Sequence, residues 1–480
     1  MRSLQRAGAA ASRGSVRALG PSRRKILAGG AGAGALIAFP DLSLAARATA
    51  RSAGSGAAAA APGSRFVLLY GTPPAEPFSG GSVASALSPT TRGAALPTAM
   101  PVAVTLAAMP VSSPDQSTVA LVTVDDGPGR ATVTLTVVDS ATATIEKQGS
   151  VAITDIAAGT NILAKPVFAP GTTTIALVLA ITQPSDKHLV AKLDPRTGAA
   201  VPMQAVTWTS QHALAYFDTA TGAFTGPFQL DNAPALALTS AAASASDLFL
   251  WTTAEPRPDP STKSRPRPVP LPWVSVFSLG SGHARLKVPS PAPWPGGEPV
   301  VTLPGGDAAR LVNGRTVQVS SARTGEVTQT TIAALNVPRA KPSAVTMQTR
   351  PDGTVFLTKP AIGRAIIADP ADSFRVRRQV DFPVPATPLG APSSKAVLSA
   401  SGDTLYVLGG AQAAGLSAYD VATGALSASY SHGVRYDGVY QLPTGTVLAV
   451  SAANPRLTFF SPALSPLGTA ETNLQISAVF

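Results

Sequence analysis

The chain contains no cysteine, and this absence removes several kinds of chemistry at once. Disulfides, thiolate metal sites and cysteine nucleophiles are all excluded. Charged residues make up only 13% of the 480 residues, which is low for a cytosolic enzyme. The four histidines, His188, His212, His283 and His432, do not lie at metal-ligand spacing, so the sequence holds no zinc motif. No Gly-x-Ser-x-Gly elbow is present to nominate a serine nucleophile.

What the chain does contain favours β-structure. The 45 prolines and 42 glycines are spread throughout and leave little room for long helices. Thr, Val and Ser are abundant, which favours strands. Hydrophobic residues reach 45%, so a sizeable core is available. The composition therefore predicts an all-β fold.

The net charge of +11 is concentrated at the N-terminus. Residues 1–50 hold eight Lys or Arg and one acid, so the remainder carries a net charge of +4. That balance is ordinary for a soluble domain and is not a nucleic-acid footprint. No nucleic-acid partner is expected.

Residues 1–50 resemble a twin-arginine signal peptide. The segment Ser22-Arg23-Arg24-Lys-Ile-Leu27 matches the motif Ser-Arg-Arg-x-apolar-Leu. A Gly/Ala-rich apolar run follows, too short and too weakly hydrophobic for a comfortable membrane span, and small residues near position 50 offer cleavage. The resemblance implies export through the twin-arginine translocation machinery to the cell envelope or outside. An uncleaved anchor is the alternative; after cleavage no stable span remains.

One short turn recurs along the chain. In Asp420-Val-Ala-Thr-Gly424 the Asp side chain can accept a backbone N–H as an Asx-turn, and Gly424 supplies the positive φ of a hairpin loop. The related turns are Asp139–Thr142, Asp194–Gly198, Asp218–Gly222, Ser321–Gly325 and Asp369–Asp372. The copies at Asp194 and Asp218 are only 24 residues apart, half the length of a repeat, so the two turns are expected to join different strands.

A second sequence pattern, which we call the phrase, recurs at other positions than the first. It consists of a turn, then Thr, then alternating apolar residues. Between Thr354 and Thr404 the spacing is 50, and between Thr404 and Thr446 it is 42. Periods of about 40–50 with all-β content are typical of propeller blades. The phrases begin at Pro114, Pro170, Ser246, Asn313, Pro351, Ser401 and Pro443.

These repeats predict a β-propeller of about seven four-stranded blades, with six or eight also compatible. Residues 51–64 are expected to be a flexible linker, residues 65–480 the propeller, and residues 255–272 a Pro-rich insertion. The last strand-like run, 474–480, is expected to pair with residues 66–70 and close the ring.

The Asp-x-x-Thr-Gly turns, with strands such as Leu405-Tyr-Val407, resemble the repeats of YVTN, WD40 and quinoprotein-like propellers over roughly residues 100–480. The resemblance implies the fold more specifically than the function. Quinoprotein dehydrogenases carry Trp-rich docking motifs in most blades, and the four irregularly placed Trp do not match them. No residue matches the metal set of propeller lactonases.

Two functions are consistent with these sequence features. The first is a non-catalytic binding or scaffold protein, expected to be a monomer, with an envelope protein or glycan as partner and no cofactor or metal. The alternative is a lactonase-like hydrolase or a degenerate quinoprotein-like oxidoreductase. An enzyme requires acids or histidines that converge on the central channel, for which His212, Asp218, Arg435 and Asp437 are the polar candidates. An apolar or Ser/Thr-lined channel favours binding.

Overall fold

The computed structural model divides into residues 1–59 and residues 60–480, and the residues that can be described all belong to the second unit. The described ranges are 67–72, 83–87, 100–102, 110–127, 129–140, 145–193, 200–230, 236–254, 273–289, 299–336, 345–350, 352–384, 396–409, 415–431, 433, 436–442, 444–451, 456–471 and 475–479. The predicted export signal, linker and Pro-rich insertion lie outside these ranges, so they stay predictions.

The described chain is made of strands and three short 3-10 helices. The strands are β1 (Val67–Thr72), β2 (Val83–Leu87), β3 (Met100–Val102), β4 (Val111–Ser112), β5 (Thr118–Gly127), β6 (Gly129–Asp139), β7 (Ile145–Ile156), β8 (Asn161–Phe168), β9 (Thr174–Leu193), β10 (Ala200–Asp218), β11 (Phe224–Gln229), β12 (Leu236–Ala243), β13 (Asp247–Ala254), β14 (Trp273–Ser278), β15 (Ala284–Pro289), β16 (Val300–Thr302), β17 (Ala308–Val312), β18 (Thr316–Ser320), β19 (Val327–Thr331), β20 (Thr346–Thr349), β21 (Val355–Lys359), β22 (Arg364–Asp369), β23 (Arg375–Asp381), β24 (Ala396–Leu398), β25 (Thr404–Leu408), β26 (Gly415–Asp420), β27 (Leu426–Ser431), β28 (Gly438–Gln441), β29 (Val447–Ser451), β30 (Arg456–Phe460), β31 (Pro466–Glu471) and β32 (Gln475–Val479). The 3-10 helices are Ala333–Leu335, Pro360–Ile362 and Pro370–Asp372. Among the described residues no helix is long and apolar enough to cross a membrane.

The strands form four-stranded antiparallel sheets arranged as propeller blades. Seven sheets consist of four consecutive strands each, and we number them blades 1–7 from β4–β7 to β28–β31. The first strands of successive blades are neighbours for most of the ring, which makes these strands the innermost ones. The predicted all-β propeller of about seven four-stranded blades is confirmed.

An eighth sheet joins the two ends of the described chain. Its order is β3-β2-β1-β32, so the last strand occupies the innermost position and β1 lies beside it. Leu69 pairs with Val479 and Tyr70 with Ala478, both antiparallel. This is the pairing that the strand character of residues 474–480 predicts. This pairing gives β1 a partner on both sides, β2 and β32, so it covers the edge that β1 would otherwise leave free.

The core lies between blades. Second and third strands are buried on both faces, as in β21 and β29, because each sheet is covered by a neighbour on either side. Leu135 of blade 1 and Leu177 of blade 2 belong to one apolar cluster, and Leu311 of blade 4 and Leu357 of blade 5 to another. Fourth strands such as β27 are largely exposed. The near-continuous apolar runs of the sequence are therefore the middle strands.

Most copies of both kinds of recurring turn lie on one side of the ring. Antiparallel strands reverse direction at each step, so the turn after a first strand and the turn after a third strand share one side, which we call the turn face. Asp420 Oδ1 accepts the Thr423 N–H and hydroxyl at 2.7 Å, and Gly424 has φ 73°. The Asp218 carboxylate accepts the Ala220 N–H at 3.1 Å. The predicted Asx chemistry thus forms these third-to-fourth turns.

One copy of the second phrase lies on the opposite side, which we call the crossover face. The Asp194 turn lies outside the described residues, so the strands that it joins stay a prediction. The phrase at Asn313 joins β17 to β18, and the turn between the first and second strands of blade 4 is instead Leu303–Asp307. Sequence similarity identified hairpins here without identifying which strands they join.

Candidate functional site

The described part of the central channel is lined by few charges. On the innermost strand β8 the exposed side chains alternate with buried ones and are Asn161, Leu163 and Lys165. On β20 they are Thr346 and Gln348. The side chains described on the other first strands add half-buried Val, Thr, Ser, Tyr and Gln residues. The described lining is therefore mostly apolar, with amide and hydroxyl groups.

Lys165 is the charged residue among the exposed side chains described on the first strands of the blades. Its side chain reaches solvent, yet the surrounding channel wall partly desolvates it. This burial lowers the pKa of Lys165 below the ordinary value of 10.5.

The four polar candidates from the sequence do not form one described cluster. His212 is 3% exposed in the third strand of blade 2, and Asp218 lies six residues further along the same strand, on the turn face. Asp437 is buried beside the first strand of blade 7. Arg435 lies outside the described residues. In the parts of the chain described, no group of three or more His, Cys, Asp or Glu could hold a metal ion.

A groove on the turn face lies between blades 4 and 5, and we call it groove 4/5. Its volume is about 760 Å³. Blade 4 contributes the turn Leu303–Asp307 and the outermost strand β19; blade 5 contributes both of its turns on this face. Its lining residues that matter below are Asp307, Thr328, Gln329, Thr330, Asp352, Asp369, Phe374 and Arg377.

The charged groups of groove 4/5 are held in place by hydrogen bonds. Arg377 contacts the Asp369 carboxylate. Arg350 Nη1 donates to Asp352 Oδ2 at 2.9 Å, and the Asp307 carboxylate accepts the Ala322 N–H at 2.9 Å. Burial acts to raise the pKa of Asp352, but hydrogen bonds from Thr354 and the positive charges of Arg350 and Arg377 hold that pKa below 3.8. Asp352 is therefore an anion at neutral pH.

The backbone at one wall of groove 4/5 is strained. Ser373 and Phe374 have φ angles of 47° and 58°, in the left-handed region. At the position of Ser373, the related third-to-fourth turns carry Gly222, Gly325 and Gly424. A left-handed residue with a side chain costs roughly 1–2 kcal/mol. Such outliers concentrate at functional sites.

A second groove lies at the equivalent place between blades 1 and 2, with a volume of about 360 Å³. Its wall carries Asp115, Glu146, Thr172, Thr173 and Thr219. Asp115 accepts hydrogen bonds from the Ser113 hydroxyl at 2.5 Å and from the Ser117 N–H at 3.1 Å, and these contacts lower its pKa against the opposing effect of burial. Like groove 4/5, this groove lies between two neighbouring blades and is lined by their turns, but its volume is about half as large.

Sequence reasoning found part of groove 4/5. Asp352 and Asp369 belong to recurring turns, so the sequence pattern alone identifies them. Asp307 and Arg377 were not singled out, because Pro304-Gly-Gly-Asp307 lacks the Thr of the other phrases and Arg377 is in an ordinary outer strand. The signal that could have found Asp307 is the Gly-Gly turn, whose two glycines both have positive φ.

No protein-family model matches the chain, and no curated protein sequence matches it. Among solved structures, the chain is similar to apo AztD from Citrobacter koseri, with 11% identity, a TM-score of 0.49, and 87% of this chain and 97% of that chain covered. It is also similar to Kluyveromyces lactis Hsv2 with a complete loop 6CD, with 10% identity, a TM-score of 0.41, and 75% and 98% covered.

Proposed function

We propose that the chain is an exported β-propeller that binds a macromolecular partner on its turn face and does not act on it chemically. The observation that carries the proposal is groove 4/5, whose volume of about 760 Å³ falls within the roughly 300–1,000 Å³ of ligand pockets. Its polar groups are already oriented by neighbouring side chains and main chain, as recognition requires.

The charge state of two acids excludes a general-acid role for them. A general acid needs a raised pKa, so that its proton is present near neutral pH. Asp352 of groove 4/5 and Asp115 of the smaller groove both have lowered pKa values. Each therefore accepts hydrogen bonds as a fixed anion and has no proton to donate. The partner we propose is an envelope protein or glycan.

A single engineered thiol tests the binding proposal. Because the chain has no cysteine, Thr328→Cys can carry one environment-sensitive dye at the exposed wall of groove 4/5. Thr154→Cys, exposed at the end of β7 on the crossover face, is the matched control. We expect some peptides or glycans from a defined panel to change the Thr328 signal saturably and leave the Thr154 signal unchanged. If every ligand leaves both dyes unchanged, the proposed function is wrong.

We further propose that residues Ser22–Leu27 direct export to the cell envelope or medium by the twin-arginine route. Replacing both arginines, Arg23→Lys with Arg24→Lys, should abolish export, because Lys lacks the planar guanidinium that such a receptor reads. The measurement is cell fractionation of the full-length chain. The control is Arg13→Lys with Arg17→Lys, which makes the same change outside the motif. Equal export of both double variants would exclude this route.

A further inference from the structure

We infer that groove 4/5 binds an extended polypeptide segment that carries a basic side chain. This inference rests on the proposed function and names the ligand class of the same face. Two independent features of the groove support it: a free strand edge along one wall, and a net negative charge on the lining.

The free edge belongs to β19. This strand is the last in its sheet and, among the described strands, pairs with β18 alone. Thr328 and Gln329 are exposed along it and line the groove. Unpaired N–H and C=O groups at a sheet edge are the groups to which an extended peptide adds as a further strand. The edge therefore supplies main-chain affinity for a polypeptide.

The charge favours a basic side chain. Three carboxylates, Asp307, Asp352 and Asp369, and one guanidinium, Arg377, line the groove. Asp369 is paired with Arg377 and is only 14% exposed, whereas the Asp352 side chain is paired with Arg350 but remains 52% exposed. Asp307 uses a carboxylate oxygen for the Ala322 N–H and keeps acceptor capacity for a ligand. A Lys or Arg that entered between Asp307 and Asp352 would make charge-assisted hydrogen bonds to both walls.

The aromatic content argues for a peptide over a glycan at this groove. The aromatic residue in the lining is Phe374, and it is only 4% exposed. It offers no open ring face on which a ligand could stack. Main-chain pairing and carboxylates remain as the available means of recognition, and both suit a polypeptide.

The test uses a fluorescein-labelled peptide of eight residues that alternates Thr and Lys, with a Thr/Glu peptide for comparison. We expect the Lys peptide to bind in fluorescence anisotropy and the Glu peptide not to bind. Asp307→Asn with Asp352→Asn should weaken binding about tenfold, because two partly exposed ion pairs are lost. Asn keeps the carbonyl acceptors on which the Ala322 and Thr354 N–H groups depend.

The matched control is Asp115→Asn with Asp420→Asn, which removes the same charge from two other turns of the turn face. It should change affinity less than twofold. Equal weakening by both double variants would reduce the effect to general attraction by an acidic surface and overturn the inference. Absence of Lys-peptide binding would overturn it too. In that case a saccharide that still shifts the Thr328 dye would leave the proposed function standing.

A covalent readout guards against variants that fail to fold. Thr328→Cys should form a disulfide with a Thr/Lys peptide whose one terminal Cys is activated as a 2-pyridyl disulfide, because the protein thiolate attacks the peptide sulfur and releases 2-thiopyridone. Thr154→Cys should not. Capture at equal rates by both thiols would contradict binding at this groove. Thermal melts of all variants should coincide with that of the parent chain.

Discussion

Deleting the last strand, Gln475–Val479, is expected to lower the free energy of unfolding by about 4 kcal/mol or more. Four residue pairs join β32 to β1, and a net intramolecular hydrogen bond contributes roughly 0.5–1.5 kcal/mol. The loss also opens the ring and exposes the edge of β1. Against a typical total of 5–15 kcal/mol, this is a large fraction. Urea unfolding of the chain truncated after residue 474 measures it.

A reversible crosslink provides the control for this deletion. Leu69 and Val479 are paired, so Leu69→Cys with Val479→Cys should form the chain's single disulfide and raise stability under oxidising conditions. Leu69→Cys with Ala478→Cys shifts one thiol by one residue, to the other face of the strand, and should not crosslink. Efficient crosslinking of the shifted pair, or an unchanged midpoint after the truncation, would refute the closure.

Gly363→Ala is expected to destabilise the fold by about 3 kcal/mol. Gly363 has φ 63°, and its carbonyl accepts the Phe382 N–H at 2.8 Å. An added Cβ would lie 2.0 Å from the Phe382 carbonyl oxygen, which is main chain and cannot rotate away. The left-handed φ contributes roughly 1–2 kcal/mol, and overpacking commonly adds 1–3 kcal/mol.

Gly171→Ala separates these two causes. Gly171 has φ 71°, and a Cβ there would meet nothing within 4 Å. It should therefore cost only the backbone term, about 1 kcal/mol. Thermal or urea unfolding of both variants gives the comparison. Equal losses would show that the close approach to Phe382 is relieved by a small movement of the chain.

The elements that local chemistry specifies were predictable. Asp420 and Gly424 define a turn within five residues, and the apolar alternation after Thr404 defines a strand. Closure was predictable because residues 474–480 and residues 66–70 both have strand character. Each of these inferences uses neighbouring residues alone.

The elements that depend on position in the ring were not predictable. The phrases that contain Asn313 and Asp352 are similar, yet the first joins β17 to β18 on the crossover face and the second joins β20 to β21 on the turn face. The difference depends on which strand of the blade each turn follows, and no turn residue encodes it. Arg377 joins the groove because β23 lies beside Asp369, a contact across a hairpin that the turn pattern does not specify.

Ring closure joins two very distant parts of the sequence, because Leu69 pairs with Val479, 410 positions further along the chain. Contacts of such long sequence separation form slowly, since the entropy of closing the loop is lost before the pairing is gained. Until β32 pairs, one edge of β1 is free, and free edges are where strands pair wrongly with other molecules. An export route that accepts folded cargo, as we propose for this chain, would have to wait for that pairing, and the closing strand would determine when the molecule becomes ready to leave the cytoplasm.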